Sequence, residues 1–291
     1  MKTDRIDAHH HLWDLSAVHY PWLMARGVNR FFGDPTPIQR DYLLDEFRRD
    51  AAGFGASVHI QVGAEDPLAE ARWVQAVADA TPDWPLVQVV FADLTSPDLN
   101  PQLDAFEALP TVRGVRQIVG RAPGEDAVTG TNALLDDPRF LEGLREAGRR
   151  ELSFDLQLIP ELMDKTARVL AEAPDTPVAL CHAGSPHDLT AAGLAAWADK
   201  LAALSNLPHL TCKLSGLGMF NHSWTADSIR PIVETCLSQF GPSRTMFGSN
   251  FPVDSLSSDY ATLVAAYEAL IPEIRWGAVF HDTARVFYRL P

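Results

Sequence analysis

Short runs of apolar residues recur along the chain, and each is followed by a stretch with helical periodicity. Most of the runs are apolar on both faces instead of alternating, which is typical of parallel strands buried beneath helices. The eight predicted strands are Arg5–Ala8, Ser57–Val62, Leu86–Phe91, Val112–Ile118, Leu152–Leu158, Val178–Cys181, Leu210–Leu214 and Thr245–Phe247.

Turn and capping residues mark the ends of the predicted helices. An Asp-Pro pair, with Asp as cap and Pro at the first helical position, opens two helices, Pro67–Ala80 and Pro138–Arg149. A Gly-Pro pair closes the helix Thr225–Phe240. Asp259–Leu270 and Asp282–Tyr288 complete the set, so strands and helices alternate along the whole chain.

Eight strand-helix units predict one α/β domain over residues 1–291, folded as a (β/α)8 TIM barrel. A doubly wound open sheet is the alternative, less favoured because no glycine-rich phosphate loop follows the first strand. Two long stretches, Trp13–Asp41 and Gly120–Asp136, interrupt the alternation. Loops of this length inside a compact domain are usually functional, and in a barrel both lie at the carboxyl ends of strands, where active sites are built.

Composition narrows the classes of function. The 291 residues include 38 acidic and 24 basic side chains, for a formal charge of −14, which opposes binding to nucleic acid. Three cysteines without a C-x-x-C pair favour a reducing compartment. With no signal-like or membrane-spanning apolar segment, we expect a cytoplasmic protein with a small-molecule substrate and no membrane partner. Loop aromatics leave a homodimer open.

Histidines lie where two of the predicted strands end. His9 and His11 follow the first strand and, because successive strand residues alternate faces, both are expected to point into the barrel mouth, with His10 in the wall. His182 follows the sixth strand directly before a turn. Converging imidazoles form either a cation site or a set of donors to a substrate oxygen.

Other candidates surround these histidines at the same end of the predicted barrel. An arginine inside a barrel needs an anion, so Arg116 is expected to hold a substrate carboxylate or carbonyl oxygen. Lys213, also predicted to be buried, needs a partner or a depressed pKa and is a further substrate contact. The remaining candidates are Gln61, with His59 either beside it or in the core, and an aromatic wall of Trp13, Tyr20 and Trp22, for which simple loop packing is the alternative.

Several motifs in their order along the chain resemble the amidohydrolase superfamily, and within it the branch of sugar-lactone hydrolases and 2-pyrone-4,6-dicarboxylate lactonases. They are His9-His10-His11-Leu12-Trp13, Val112-Arg113-Gly114-Val115-Arg116, His182, Lys213-Leu214-Ser215-Gly216-Leu217 and Met246-Phe247-Gly248-Ser249-Asn250-Phe251-Pro252-Val253-Asp254. The resemblance implies a TIM-barrel hydrolase of small cyclic esters. It also implies that His9, His11 and His182 bind a metal or polarise the lactone carbonyl, while an acid after the eighth strand activates water.

The chain departs from this pattern at one position that bears on the mechanism. Asn250 stands where the resemblance implies the aspartate, and an amide cannot be a general base. Asp254 is the nearest carboxylate that could take that role. A binuclear metal site is not expected, whereas one divalent metal such as zinc and catalysis without a metal both stay open. A metal-dependent decarboxylase and a ligand-binding barrel without catalysis are the alternatives to a lactonase.

Overall fold

The computed structural model describes residues 5–291, apart from the side chains of residues 127 and 128. Eight parallel strands form one sheet, in which every strand pairs with the next one along the chain. The strands are β1 (Arg5–His10), β2 (Phe54–Ile60), β3 (Leu86–Phe91), β4 (Val112–Arg116), β5 (Ser153–Leu156), β6 (Val178–Leu180), β7 (Leu210–Leu214) and β8 (Thr245–Phe247).

Helices connect the strands and cover the sheet. In the described range they are α1 (Pro21–Met24), α2 (Leu44–Asp50), α3 (Pro67–Ala80), α4 (Leu99–Glu107), α5 (Pro123–Thr129), α6 (Pro138–Arg149), α7 (Met163–Ala171), α8 (Ala191–Ser205), α9 (Ala226–Phe240), α10 (Tyr260–Leu270) and α11 (Thr283–Phe287). Of the helices in that range, none is both long and apolar enough to cross a membrane.

The sheet closes where the segment after β8 meets β1, and this junction is called the seam below. The backbone N–H of Asn250 donates to the carbonyl of His9 at 2.7 Å, and the N–H of His11 donates to the carbonyl of Phe251, also at 2.7 Å. With the strands in sequential order and helices between them, the predicted TIM barrel is confirmed and the doubly wound sheet is excluded.

A buried carboxylate reinforces the seam. Asp7 of β1 accepts hydrogen bonds from the backbone N–H groups of His9 at 3.0 Å and Ser249 at 2.9 Å, and from the hydroxyl of Tyr260 at 3.0 Å. Between Asp7 and His10 the pairing with β2 shifts by one residue, which is a β-bulge. The bulge lies at the start of the histidine run, so it helps to set the direction of these side chains.

The apolar core has two parts. A smaller cluster fills the barrel with side chains from β1, β2, β3, β6 and β8 and is completed by residues at the end of the chain; its buried members are Ile6, Ala8, Val58, Ile60, Val87, Val89, Ala179, Met246, Ala284, Tyr288 and Leu290. A larger cluster packs the helices against the outer face of the sheet. Because both faces of most strands are buried, the continuous apolar runs of the sequence are explained.

Most predicted element boundaries agree with the observed ones, with small differences at the strand ends. The bounds of β3, β7, β8, α3 and α6 are as predicted, and Thr225 and Asp259 are the caps of α9 and α10 instead of their first residues. The two long loops contain the short helices α1 and α5. Both run over the carboxyl ends of the strands.

Gly248 gives a test of how tightly the seam is packed. A Cβ added there would lie 2.5 Å from the Cβ of His9 and 3.0 Å from its backbone nitrogen. We expect Gly248→Ala to lower the free energy of unfolding by about 1–3 kcal/mol, since overpacked cores force backbone shifts. Calorimetry should show a lower Tm for this variant.

Gly124 is the matched control for that substitution. It lies in α5, and a Cβ added there meets no atom within 4 Å. Gly124→Ala should therefore leave the Tm unchanged or raise it slightly, because alanine is the better helix former. Equal Tm values for the two variants would contradict the close packing of the seam.

Candidate active site

A cavity of about 360 Å³ opens at the carboxyl ends of the strands. The sequence-predicted residues that line it are His11, Trp13, Trp22, Gln61, Arg116, His182 and Asn250. Three other predicted site residues, His9, Lys213 and Asp254, are buried beside or beneath it and are not part of its lining. The size is within the range of small-molecule sites.

His11 presents a hydrogen-bond acceptor to the cavity. Its Nδ1 lies 2.8 Å from the backbone carbonyl of Ile60, and a carbonyl only accepts, so Nδ1 carries the hydrogen. In the neutral ring the lone pair is therefore on Nε2. It lies 3.3 Å from Oδ1 of Asn250, which is also an acceptor, so the two atoms are hydrogen-bonded only when Nε2 takes up a proton. Burial, followed by the charge of Arg116, lowers the pKa of His11 to about 3, so the ring is neutral near pH 7.

His182 lies on a left-handed turn at the end of β6. The φ angles of His182, Ala183, Gly184 and Ser185 are all between 51° and 72°. Such backbone is costly for residues other than glycine and is concentrated at functional sites. The Nδ1 of His182 is 3.0 Å from the hydroxyl of Ser215, and burial together with the charge of Arg116 lowers its pKa well below the usual value.

Beneath the cavity, His9 is part of a fully buried polar cluster. The ammonium of Lys213 donates to Asp155 at 2.5 Å and to Nδ1 of His9 at 3.5 Å. The hydroxyl of Tyr288 donates to both oxygens of Asp155 at 2.9 Å. Cys181 lies 4.0 Å from the same carboxylate, and burial raises the pKa of its thiol to about 12. We call these five residues the floor cluster.

The floor cluster contains a possible metal site. One ligand atom each from His9, Asp155 and Cys181 lies within 4.8 Å of the others, and these ligand types are consistent with a divalent metal. The rings of the predicted metal set also lie close together, with the ring centroid of His9 5.2 Å from that of His11 and 4.6 Å from that of His182, and their role as ligands stays a prediction.

Asp254 does not reach the cavity in the position expected of a base. Its Oδ1 accepts a hydrogen bond from the side-chain amide of Asn250 at 2.7 Å, and its Oδ2 is buried with no partner among the described residues. Asn250 stands between Asp254 and His11, with a left-handed φ of 58° that asparagine tolerates well. The carboxylate is therefore separated from a cavity-bound water by the amide, so a direct role for Asp254 is not supported by the geometry.

The stability of the fold should depend on pH through Asp254. Burial raises the pKa of this carboxyl from 3.8 to about 7, so the folded protein holds a proton that the unfolded chain releases. Below about pH 4 the carboxyl of Asp254 is protonated in both the folded and the unfolded chain. There this carboxyl should make little difference between the free energies of unfolding of the wild type and the Asp254→Asn variant. From pH 4 to 7 the wild type should lose stability relative to the variant, by a gap on the order of 4 kcal/mol at most.

Thermal unfolding of both proteins across this pH range measures the effect. The exposed Asp45, changed to asparagine, serves as the matched control, because water surrounds that side chain in both states. A gap in Tm between Asp254→Asn and the wild type that stays constant from pH 4 to 8 would contradict the buried, protonated carboxyl.

Positive charge dominates the cavity wall. Arg30, Arg116 and Arg121 all line it. Arg116 donates to Gln157 at 2.9 Å, whereas its Nε and Nη1 are buried with no partner in the described part of the chain. Arg30 pairs with Glu125 at 3.1 Å. With an unpaired buried guanidinium, the wall suits an anionic ligand.

The predicted aromatic wall forms only in part. Trp13 and Trp22 line the cavity, but their rings meet edge to face at an angle of 81°, so they do not form one flat platform. Trp13 donates to the carbonyl of Arg40, and Trp22 donates to that of Val62. Tyr20 is buried outside the lining. These aromatics are buried or half-buried, so they give no support to the homodimer, which stays a prediction.

Two further histidines are structural. His10 stacks on Phe47 of α2 with ring centroids 3.8 Å apart, in the wall as predicted. His59 accepts a hydrogen bond from the backbone N–H of Leu12 at 3.1 Å and lies 3.4 Å from Glu70, which places it in the core. Gln61, two residues on, does line the cavity.

Sequence reasoning missed several residues of the cavity wall. Arg30, Phe31 and Phe32 come from the first long loop, and Arg121 begins the second. The only signal was the length of these two loops, since neither contains a recognisable binding motif. Which loop residues face inward depends on the path of the loop, and residue spacing does not reveal that path.

Comparisons with known proteins agree with this architecture. The sequence profile of a family described as amidohydrolase matches residues 6–290. An uncharacterized protein of Sinorhizobium fredii is 36% identical over 98% of both chains, and an L-fucono-1,5-lactonase of Burkholderia multivorans is 29% identical over 99% of this chain and 96% of the other. The crystal structure of an amidohydrolase from Burkholderia multivorans with bound zinc superposes with a TM-score of 0.81, at 26% identity and 99% coverage of both chains.

Proposed function

Because the chain belongs to the amidohydrolase family, we propose that it is a hydrolase that opens a small lactone carrying a carboxylate. One observation carries the proposal. The cavity wall combines the neutral imidazole of His11, whose lone pair is on Nε2, with an arginine at position 116 that has two buried donor atoms without partners among the described residues. An acceptor for a water proton beside free donors for oxyanions suits the hydrolysis of an ester.

His11 is the proposed general base. As water attacks the lactone carbonyl, its proton passes to Nε2 of His11, and the resulting imidazolium donates to Oδ1 of Asn250, 3.3 Å away. When the carbon–oxygen bond of the ring breaks, the same Nε2 returns the proton to the leaving oxygen. The product is the open-chain hydroxy acid. Asn250 is a positioning residue in this scheme, and its amide is held in turn by Asp254 at 2.7 Å.

Cationic and neutral donors hold the substrate. Arg116 and His182 line the cavity beside His11 and are placed to contact the lactone carbonyl as negative charge develops on its oxygen. Arg121, from the second long loop, is a candidate partner for the substrate carboxylate, and Gln61 and Trp22 for its ring. We do not assign Lys213 to the substrate, because its ammonium is fully buried and bonded to Asp155.

A divalent metal, when bound in enzymes of this kind, polarises a carbonyl or activates water. In this chain His9, Asp155 and Cys181 would hold it. The fit has one obstacle, because the Lys213 ammonium already lies 2.5 Å from Asp155 and 3.5 Å from His9. The proposed steps therefore use only side chains of the chain.

A matched pair of substrates tests the proposed function. An aldono-1,5-lactone and the aldaro-lactone that has a carboxylate in place of the terminal hydroxymethyl group share the same lactone ring and differ only at that group, which is neutral in the first and anionic in the second. We expect hydrolysis of both, measured by acid release in a pH-stat, with the higher kcat/KM for the carboxylated lactone. The neutral L-fucono-1,5-lactone is a useful third substrate, because a relative of this chain is named for it.

The alternatives predict different outcomes in the same experiment. A ligand-binding barrel would show a rise in Tm with the carboxylated lactone and no acid release. A decarboxylase would release carbon dioxide from a carboxylated substrate and leave the ester intact. If only the neutral lactone is hydrolysed, the proposed preference for a carboxylated substrate is refuted, but the proposed lactonase activity is not.

A further inference from the structure

The floor cluster holds a cation in the place where a metal would bind. His9, Asp155 and Cys181 come from β1, β5 and the end of β6, and the Lys213 ammonium reaches them from β7. The Lys213 ammonium also lies 5.0 Å from the centre of the Tyr288 ring, and the hydroxyl of Tyr288 donates to Asp155. Lys213 and Asp155 both have a relative exposure of 0%.

The hydrogen bond between Lys213 and His9 determines the tautomer of the His9 ring. An ammonium group has donors and no acceptor, so Nδ1 of His9, 3.5 Å from Nζ of Lys213, must supply the lone pair. In the neutral ring the hydrogen is then on Nε2. That atom is buried and has no partner among the described residues, beside the rings of His11 and His182. A buried donor without a partner is rare, and here it belongs to a ring that lies against His11 and His182, both of which line the cavity.

We propose that Lys213 is the built-in cation of the floor cluster, and that it keeps His9 in the Nε2–H form as a donor to a ligand oxygen above it. Lys213 is thus a positioning residue that acts through His9, and Asp155 and Tyr288 hold Lys213 in place. The same ammonium keeps Asp155 and His9 from binding a divalent ion. His9 and His11, two residues apart, then have opposite tautomers and opposite roles.

Imidazole tautomers can be measured in the wild-type protein without any substitution. Two-bond proton–nitrogen NMR spectra distinguish the two tautomers and the imidazolium, and the signals of His9 are assigned by their loss in His9→Gln. We expect His9 as the Nε2–H tautomer and His11 as the Nδ1–H tautomer at neutral pH. His9 in the Nδ1–H form, or as imidazolium, overturns the proposal.

Cobalt(II) tests whether Lys213 excludes a metal. A cobalt ion bound by Cys181 gives a thiolate-to-metal charge-transfer band, which imidazole and carboxylate ligands alone do not give. We expect Lys213→Met to bind cobalt with this band at a concentration at least tenfold lower than the wild type needs, and Lys213→Met with Cys181→Ser to lack the band. Equal cobalt binding by the wild type and Lys213→Met, both shown by circular dichroism to be folded, overturns the exclusion.

If Lys213→Met does not fold, the tautomer of His9 in the wild type still decides the proposal. The part that Lys213 plays in hydrolysis rests on the proposed function, but the two spectroscopic measurements do not. A negative lactone assay with the expected tautomers would refute the substrate and leave the floor cluster as described. Hydrolysis of a lactone by a protein whose His9 is not the Nε2–H tautomer would retain the lactonase and remove the role of Lys213.

Discussion

Replacing His11 with asparagine is expected to lower kcat for the hydrolysed lactone by roughly 10²–10⁴-fold, the usual contribution of a general base. The side chain of asparagine is shorter and has no lone pair on nitrogen that could take a proton at neutral pH. Since His11 also donates to the carbonyl of Ile60 at 2.8 Å, the variant must be shown to fold by circular dichroism and its Tm. Initial rates of acid release give kcat and KM.

His19→Asn is the matched control, because His19 is exposed on the first long loop and the substitution is the same. It should keep the wild-type kcat. A folded His11→Asn variant that also keeps most of the wild-type kcat would remove His11 as the base and leave His182 as the remaining imidazole of the cavity lining.

Replacing Arg116 with methionine is expected to lower kcat/KM for the carboxylated lactone by roughly 10- to 150-fold. A hydrogen bond to a charged group contributes about 1.5–3 kcal/mol. Because Arg116 has no carboxylate partner among the described residues, its removal leaves none of their buried acids unpaired. Among the described residues only Gln157 loses a hydrogen-bond partner, at 2.9 Å. Methionine fills much of the same volume, so the fold should be retained.

The neutral lactone shows what Arg116 contacts. If the guanidinium holds the substrate carboxylate, the neutral lactone should lose much less than the carboxylated one. If it contacts the reacting carbonyl, which is the contact proposed above, both should lose kcat equally. Arg72→Met, at an exposed position, is the matched control and should leave both rates unchanged. An Arg116→Met variant with wild-type rates on both lactones would remove it from the site.

The barrel could be predicted because its signals are local. A strand buried on both faces needs a continuous apolar run, and a helix needs a cap, so β3, β7, β8, α3 and α6 are found at their predicted bounds. Strand ends that depend on pairing could not be read in this way. For example, β2 begins at Phe54, since Arg5 of β1 pairs with it, and no local pattern contains that register.

The candidate site was harder to predict than the fold, because its chemistry depends on partners far apart in the chain. Alternation of faces correctly placed His11 at the cavity and His10 in the wall. It could not show that Asp155 takes up the charge of Lys213, or that Asn250 stands between His11 and Asp254. Those pairings are set by the closure of the barrel, and each residue type alone allowed several roles.

The seam also determines when the site can exist. His11 and Asn250, which meet there, are 239 residues apart in the chain. During synthesis on a ribosome His9 and His11 emerge well before the segment after β8 that closes the barrel. Contacts of such large sequence separation are slow to form. The pairing of His11 with Asn250 should therefore form only after Asn250 has emerged, so nascent chains released before that point should lack the proposed hydrolase activity.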